Sequence, residues 1–473
     1  MILALVGMAL AAPDRLAVTW PVGTDVSDIV ATADGAFAGW TEASGGTLTV
    51  LDTGTFDPFV LTVCAGARGL AVTGDAEGGY TFYVGCADGT AAAVDVTADG
   101  DATKSETLFT LGADPVQGLE TDGTTLFAIL GTEESLSSAA VTLEDGAAVD
   151  GFGTALSSST FEDTALTVDS LIVVHGGDEV SKINLSSGTT ILPQSSLGRT
   201  LVDAFPYSTG NAVYLADEGG GLVRFESDND YMAILTGIAS TTAVGLNATD
   251  GWAILGAGED ALLYDFDGGT FTEAGTIAGA ANLREIATIE GYAFGASEDG
   301  SVHILTDRPW VKVDSLSTGS AVSGDEVTIT FTTDIGGAYS VHVGGTVDDP
   351  GPELGAGDIA DGGTAEVTFT VNDDFAEGAN RIWVFVEDDG NIGRVAGSLT
   401  VDNPPEAVTL GQAGLGFGNQ SIHVEFDGLT AEDIVGYVIF IDVNPFSAAD
   451  YPIGGPGFTG TDDITAPIVV TAG

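Results

Sequence analysis

An internal repeat between residues 15 and 308 restricts the possible folds of this chain more than any other feature. Each copy contains an apolar strand, a turn, a second strand, an Asp/Gly turn and a third strand. The copies begin roughly 40 to 48 residues apart, a spacing that suits a unit of four short strands. They start near Asp28, Gly69, Val116, Asp163, Leu201, Thr242 and Leu283.

The repeat predicts a ring of β-sheets. Asp-Gly pairs such as Asp88-Gly89 and Asp299-Gly300 supply the positive φ angles that tight hairpin turns require. The apolar residues show no 3.6-residue period, and β-branched residues dominate the apolar runs. Seven copies of a four-stranded unit predict an all-β chain with a seven-bladed β-propeller over residues 15–308, with six or eight blades as alternatives.

The two ends of the repeat region predict how the ring closes. The last copy ends after about three strands, at Leu305, and the opening strand Leu16 to Trp20 belongs to no complete copy. We expect this opening strand to supply the missing outer strand of the last blade. Closure matters because an unpaired strand edge invites edge-to-edge aggregation.

The charge balance excludes some partners. Of 473 residues, 70 are Asp or Glu and 11 are Lys or Arg, which gives a net charge of −59. Such a surface repels nucleic acid and anionic membranes. Hydrophobic residues are 44% of the chain, enough to build folded cores. Adaptation to high salt and simple solubility explain the acidity equally well, and the sequence leaves the oligomeric state open.

Residues 1–12 have the pattern of a secretory signal peptide. They are apolar throughout, and Ala9-Leu10-Ala11 matches a small-residue cleavage site in a stretch too short to cross a membrane. A buried N-terminal strand is the alternative. We therefore expect an exported protein, secreted or displayed at the cell surface.

The two cysteines, Cys64 and Cys86, fit that expectation. An even number of cysteines in an exported protein favours a disulfide. Each cysteine adjoins an apolar run, so neighbouring hairpins would bring the sulfurs together. Two independent buried thiols are the alternative. A zinc site is not expected, because two cysteines without a nearby histidine do not complete its coordination shell.

A second unit is predicted over residues 309–402. Pro309 marks its start, and strands such as 327–332 alternate apolar residues with threonine, as half-buried antiparallel strands do. Residues 381–386 are apolar on both faces, as a central strand would be. The segment resembles bacterial Ig-like domains, mainly over Asn372 to Val386. That resemblance implies a β-sandwich of about seven strands.

Residues 403–473 resemble the first half of a fibronectin type III domain. Pro404-Pro405 lead in, the third strand opens with Gly436-Tyr437, and Phe426 stands where the family usually has Trp. The segment is too short for that fold, so we expect either a chain that continues beyond Gly473 or a strand borrowed from elsewhere. The whole layout resembles exported bacterial surface proteins, which implies a C-terminal anchoring tail.

The sequence contains no catalytic motif. It lacks His-Glu-x-x-His, the Gly-x-Ser-x-Gly elbow and a phosphate-binding Gly-x-x-x-x-Gly-Lys loop. The four histidines are far apart, in or beside predicted strands, and we interpret them as structural. They are His175, His303, His342 and His423. No catalytic or cofactor-binding residue is predicted.

Calcium is the one metal that the acidic residues suggest. Asp95, Asp99, Asp101 and Glu106 imitate the spacing of an EF-hand loop, but their flanks have the pattern of strands rather than helices. Carboxylate clusters also lie at predicted loop ends of the Ig-like unit. These are 348–349, 373–374 and 387–389. Solvated acidic loops are the favoured interpretation of all of them, and no metal ligand is predicted.

Two functions remain open. The first is a non-enzymatic surface or adhesion protein, whose propeller recognises a protein or glycan ligand while the sandwiches form a stalk. The second is an exported propeller enzyme, a carbohydrate or lactone hydrolase or lyase, with acidic residues at the central channel. Three or more polar side chains converging in a concave channel mouth favour the enzyme, and a flat or glycine-lined mouth favours binding.

Overall fold

The chain is all-β. The structure, a computed structural model, describes residues 12–403 apart from 23–25, 54–55, 57, 76–77, 98–101, 133–134, 154, 157–159, 197, 208–211, 227–230, 239, 268, 290 and 345–349, and beyond them only four short strands. These residues form strands, turns and bends but no helix. Accordingly, none of them belongs to a helix able to span a membrane.

Residues 15–306 contain seven antiparallel sheets in the part of the chain that the structure describes. Their strands are β1 (Arg15–Pro21), β2 (Val26–Ala31), β3 (Phe37–Glu42), β4 (Thr47–Asp52), β5 (Pro58–Thr62), β6 (Leu70–Asp75), β7 (Gly79–Gly85), β8 (Thr90–Val96), β9 (Ala102–Thr110), β10 (Val116–Thr121), β11 (Thr125–Thr132), β12 (Ser135–Thr142), β13 (Phe161–Leu166), β14 (Ser170–His175), β15 (Glu179–Asn184), β16 (Thr190–Ser196), β17 (Leu201–Pro206), β18 (Val213–Asp217), β19 (Gly221–Phe225), β20 (Tyr231–Thr236), β21 (Thr241–Asn247), β22 (Trp252–Ala257), β23 (Asp260–Asp267), β24 (Thr270–Ala278), β25 (Leu283–Ile289), β26 (Tyr292–Ser297) and β27 (Ser301–Thr306). Consecutive strands form the sheets β2–β5, β6–β9, β10–β12, β13–β16, β17–β20 and β21–β24, and β1 joins β25–β27.

The innermost strands of these sheets form a closed ring. They are β2, β6, β10, β13, β17, β21 and β25, and each contacts the innermost strand of the next sheet, with β25 returning to β2. Sheets arranged radially around a central channel in this way have the architecture of a β-propeller. Below, "the ring" means residues 15–308, and "the channel" is the space that the innermost strands enclose.

The first strand closes the ring, as the sequence predicted. Strand β1 pairs antiparallel with β27, with Arg15 opposite Thr306 and Trp20 opposite Val302. The last sheet therefore contains three strands from the end of the repeat region and one from its beginning. Residues at the two ends of the ring are thus held together by a strand pair that covers the edge of β27.

Apolar cores fill the space between neighbouring sheets. Trp40 and Phe294 belong to one such core, between the last sheet and the first, and both are almost completely buried. In the next core Phe82 lies against the backbone of Gly39, where a Cβ atom would come within 2.6 Å of the ring. Side chains at alternate positions of a strand point to opposite faces of its sheet, and each face packs against a neighbouring sheet. This explains why many strands are apolar on both faces.

A disulfide joins Cys64 to Cys86, as predicted. The two Cα atoms are 5.8 Å apart. Cys64 follows β5 of the first sheet, and Cys86 follows β7 of the second. The bond therefore ties together two neighbouring sheets that the chain also joins in sequence.

Residues 311–401 form a second unit of two sheets. Its strands are β28 (Val311–Leu316), β29 (Ser320–Ala321), β30 (Glu326–Thr333), β31 (Gly337–Val343), β32 (Glu353–Ile359), β33 (Thr364–Thr370), β34 (Gly378–Asp388) and β35 (Asn391–Val401). One sheet has the order β28-β30-β33 and the other the order β29-β35-β34-β31-β32. Both contribute to a single apolar core that includes Ile329, Phe331 and Val384. Strand β34, which contains the segment predicted to be central, lies in the middle of its sheet.

Specific contacts hold the second unit against the seam where the ring closes. The guanidinium of Arg15 in β1 donates hydrogen bonds to the carboxylate of Asp334 and to the carbonyl of Arg308. The ring of Trp310 lies 4.0 Å from the ring of Phe56, centroid to centroid. The junction between the two units is therefore an interface of side chains as well as a covalent link.

The structure describes little of residues 403–473. Four short strands pair there as β36 (Gly414–Leu415) with β37 (Ile422–His423) and β38 (Gly436–Ile439) with β39 (Ile468–Thr471). The fibronectin-like prediction otherwise lies outside the described residues, as does the predicted signal peptide up to residue 11.

Candidate functional site: the carboxyl-lined channel

One position repeats around the channel near the start of the innermost strands. In six of these seven strands the pairing register shifts at a bulge, and the repeated position is the residue directly after that shift. In the seventh strand, β6, the repeated position is Gly69, the residue just before the strand begins. We call it the channel position. Its occupants in chain order are Asp28, Gly69, Gly118, Asp163, Asp203, Ala243 and Glu285. Four of the seven are acidic.

Three of these acids bind the backbone of the next innermost strand. Asp28 Oδ2 accepts the N–H of Leu70 at 2.5 Å, and Asp163 Oδ2 accepts that of Ala204 at 2.8 Å. Asp203 Oδ2 accepts the N–H of Val244 at 2.6 Å. An innermost strand has one edge without a strand partner, so its N–H groups need other acceptors. Each carboxylate supplies one and links its sheet to the next.

The channel acids also pair with one another. The carboxyl groups of Asp28 and Glu285 are close enough to interact directly, as are those of Asp163 and Asp203. Two carboxyl groups hydrogen-bond to each other only when they share a proton.

Burial raises the pKa values of all four of these groups. Burial raises the pKa of Asp28 and that of Asp203 to about 6. Burial and the charge of the partner raise the pKa values of Glu285 and Asp163 well above the usual range. In each pair, both groups therefore bind protons more readily than an exposed carboxyl group does.

A fifth acid, Glu120, enters the channel from β10. Its Oε1 accepts a hydrogen bond from Thr164 Oγ1 at 3.4 Å. Burial, with the nearby charge of Asp28, raises its pKa to about 8. Glu120 lies two residues after Gly118, whose lack of a side chain leaves space at the channel position of the same strand.

The channel opens at this end into a charged mouth. A cavity of about 510 Å³ reaches the channel acids, and its walls carry two arginines, three glutamates and a glutamine. These are Arg68, Gln117, Glu162, Glu218, Arg284 and Glu298. We call this set the mouth. Arg68 Nη1 donates to Gln117 Oε1 at 3.1 Å, and Arg284 Nε lies 3.3 Å from Glu298 Oε1.

A second cavity adjoins the mouth. Its volume is about 480 Å³, and it shares Arg68, Gln117 and Phe161 with the first. The ring of Phe161 lies over Gly118, where a Cβ atom would be 2.5 Å from Phe161 Cζ. Glycine at position 118 is therefore what allows the aromatic ring to lie in the wall between the two cavities.

The opposite end of the channel is different in character. A cavity of about 700 Å³ there is lined by apolar side chains that include Leu166, Val168 and Phe205, together with the acids Asp34 and Asp250. Val168 is 82% exposed. No arginine or lysine lines this cavity among the described residues.

The histidines lie away from the channel acids. His175 Nε2 is 2.8 Å from Ser181 Oγ, and its Nδ1 is 3.3 Å from Glu179 Oε2. This order of groups is that of a hydrolase triad, but His175 and Ser181 are both 0% exposed, so substrate does not reach them. His303 lies between Thr19 of β1 and Ser301, and His342 Nδ1 is 3.0 Å from the carbonyl of Gly351. His423 lies in β37.

The candidate calcium loops lie partly outside the described residues. Asp99 and Asp101 lie outside the described residues, and Asp95 Oδ1 accepts a hydrogen bond from Thr81 Oγ1 on the neighbouring strand. Residues 348–349 are also outside them. Within the described part of the chain, no three His, Cys, Asp or Glu side chains are grouped as metal ligands.

Sequence reasoning missed the channel acids although it found the segments that contain them. Asp28 and Asp163 begin two repeat copies, and Asp203 and Glu285 lie two residues after the starts of two others. Aligning the copies on these acids rather than on their apolar runs would have revealed an acid recurring in four of seven. Their pairing with one another has no signal in the sequence.

Comparisons with known proteins give similarity of structure alone. No family model matches the chain, and no curated protein matches it. The β-propeller domain of Cps50 (Swd1) from Myceliophthora thermophila is 13% identical, with a TM-score of 0.48 over 62% of this chain and 99% of that one. Hydrazine synthase from Kuenenia stuttgartiensis is also 13% identical, with a TM-score of 0.48 over 60% of this chain and 98% of that one. Likeness of this degree carries no argument about function.

Proposed function

We propose that this chain is an exported, non-enzymatic binding protein of the cell surface. In this proposal residues 15–308 are a seven-bladed β-propeller that serves as the recognition head. Residues 309–402 are an Ig-like β-sandwich, and residues 403–473 are a fibronectin-like module of the stalk. Support comes from the closed ring of innermost strands, from the two-sheet core of the second unit, and from the signal-like residues 1–12.

The observation that carries the binding role is how the channel acids are engaged. Five carboxyl groups converge at one end of the channel, which by itself favours an enzyme. However, three of them accept backbone N–H groups, and four are paired with one another. These contacts serve to join neighbouring sheets. The groups left for a ligand are the arginines, glutamates and glutamine of the mouth, which suit recognition through hydrogen bonds.

Binding without turnover tests this function. The full chain is immobilised and screened against glycan and protein arrays, and each bound ligand is recovered for mass measurement. We expect saturable binding, an unchanged ligand mass, and loss of binding in the double variant Arg68→Ala/Arg284→Ala. The control is Lys312→Ala in the second unit. Binding that survives the double variant, or a ligand recovered in pieces, contradicts the proposal.

Export has its own test. The intact mass of native protein from washed cells and from culture supernatant shows whether residues 1–12 have been removed and whether the chain is retained at the surface. A full-length mass confined to the cell interior contradicts export.

A hydrolase acting on a sugar or lactone is the second candidate, and the carboxyl pairs favour it. In each pair one carboxyl group has a pKa raised to about 6 and the other a pKa raised well above the usual range, and acid–base hydrolysis uses carboxyl groups of different pKa. Both pairs border a cavity that ligands can enter. Turnover of an oligosaccharide or lactone that falls at least tenfold in Asp163→Asn, with folding retained, would establish this candidate in place of the first.

A further inference from the structure

We infer that the ligand of the mouth is an uncharged oligosaccharide that lies across the two adjoining cavities. This inference rests on the proposed binding function and names the chemical class of the ligand. It follows from the charges of the walls, the pairing of donors with acceptors, and the aromatic ring between the cavities.

The charges of the walls disfavour a ligand with a net charge of either sign. Glu162, Glu218 and Glu298 repel an anion, and the net charge of −59 adds to that repulsion at long range. Arg68 and Arg284 repel a cation at short range. A neutral ligand meets neither repulsion.

The polar groups of the mouth occur as neighbouring donors and acceptors. Arg68 lies beside the amide of Gln117, and Arg284 lies beside the carboxylate of Glu298, at 3.1 and 3.3 Å. A hydroxyl group both donates and accepts. Adjacent hydroxyls on a sugar ring therefore satisfy a guanidinium and its neighbouring acceptor together, which a ligand with only donors or only acceptors does not.

Phe161 gives the site an apolar surface. Its ring is partly buried and belongs to the walls of both cavities, which have volumes of about 510 and about 480 Å³. The C–H face of a sugar ring packs well on such an aromatic face. Since the two cavities meet at this ring, the ligand is expected to extend over more than one sugar unit.

The test is calorimetric titration of the full chain with oligosaccharides of matched length. The neutral probes are the hexamers of maltose-, cellulose-, xylan- and mannan-type chains. Hexagalacturonate is the anionic probe, and a glucosamine hexamer is the cationic one. We expect at least one neutral hexamer to bind and both charged hexamers to fail.

Three variants test the site itself. Phe161→Leu and Arg68→Ala each remove one recognition element, and we expect each to weaken the bound neutral hexamer at least tenfold. Gly118→Ala forces the ring of Phe161 to move, and the same loss is expected. Val168→Ala, at the opposite end of the channel, is the matched control and should leave affinity unchanged. Melting curves establish that each variant is folded.

The outcomes separate this inference from the proposed function. A charged hexamer that binds in place of every neutral one, or a protein ligand seated on the mouth, overturns the inference and leaves the binding function intact. A neutral hexamer that binds and is then cleaved supports the ligand class but overturns the non-enzymatic function. A neutral hexamer whose affinity is unaffected by the three variants overturns the inference, as does the failure of all hexamers to bind.

Discussion

The ring and the second unit are stabilised in different ways. The second unit encloses one apolar core between two sheets, as in Ile329 and Val384, whose side chains are completely buried. The ring has several smaller cores between sheets, and it adds polar links at the channel, a disulfide and a strand pair that joins its ends. Two packed sheets need only complementary faces, whereas a ring must also close.

The largest effect is expected from removing the closing strand. Deletion of residues 15–21 exposes the edge of β27 and removes the contacts of β1. The melting temperature of the ring should fall by roughly 10 °C or more, because the loss amounts to several kcal/mol. Scanning calorimetry of the full chain and of the deleted chain measures this. An unchanged melting temperature of the ring would contradict the role of β1 in closure.

A core substitution in the second unit should act locally. Ile329→Ala leaves a cavity in its single core and should cost about 2–5 kcal/mol of that unit's stability. The melting temperature of the ring should change by no more than about 1 °C, apart from any effect through the junction at Arg15. Far-UV circular dichroism with limited proteolysis distinguishes the two units. Equal destabilisation of both would show that they unfold as one body.

Loss of the disulfide should destabilise the ring by an intermediate amount. Cys64 and Cys86 are 22 residues apart, and cross-linking a loop of this size contributes about 3 kcal/mol by constraining the unfolded chain. The double variant Cys64→Ser/Cys86→Ser should show this loss in denaturant titration. A reducing agent should lower the stability of the wild type but not that of the double variant. A loss of stability in the reduced double variant would contradict the assignment of this effect to the disulfide.

The channel acids should make the ring less stable as pH rises. Their pKa values in the folded state lie above those in the unfolded chain, so the unfolded state loses these protons first. Their contribution is therefore most favourable below about pH 4 and declines as pH rises to about 8.

Asp28→Asn tests the cause of that decline. Asparagine keeps an acceptor for the N–H of Leu70 and donates to Glu285 without a shared proton. The variant should lose less stability between pH 4 and pH 8 than the wild type does. Asp358→Asn, on the surface of the second unit, is the control and should follow the wild-type curve. A steeper decline in Asp28→Asn would exclude proton sharing at this pair.

Local patterns predicted the strands well. The alternation of apolar residues with threonine at 327–332 predicted a strand, and these residues lie in β30. The apolar segment 381–386 predicted a central strand, and it lies in the middle strand of the five-stranded sheet. The repeat length, with Asp-Gly turns in several copies, predicted the succession of sheets in the ring. Such features are local because strand and turn formation depend on residues close in sequence.

The channel site could not be predicted in the same way. Gly118 and Ala243 occupy the same position as Asp163 and Asp203, so the repeat alone does not show where carboxyl groups meet. Whether Asp28 touches Glu285 depends on closing the ring, which brings together residues from its two ends. The bulge that sets the channel position is also a feature of strand pairing rather than of composition.

The sequence by itself determined the all-β class, the repeated strand units, the strand that completes the last sheet and the pairing of Cys64 with Cys86. Each depends on residue type and spacing along the chain, which set strand propensity, turn geometry and reach. The tertiary structure alone decided that five acids share one channel, that four of them lie in two pairs, and that arginines line one end of the channel but not the described lining of the other. Those properties depend on side chains from different sheets that only the folded ring brings together, where burial changes their ionisation.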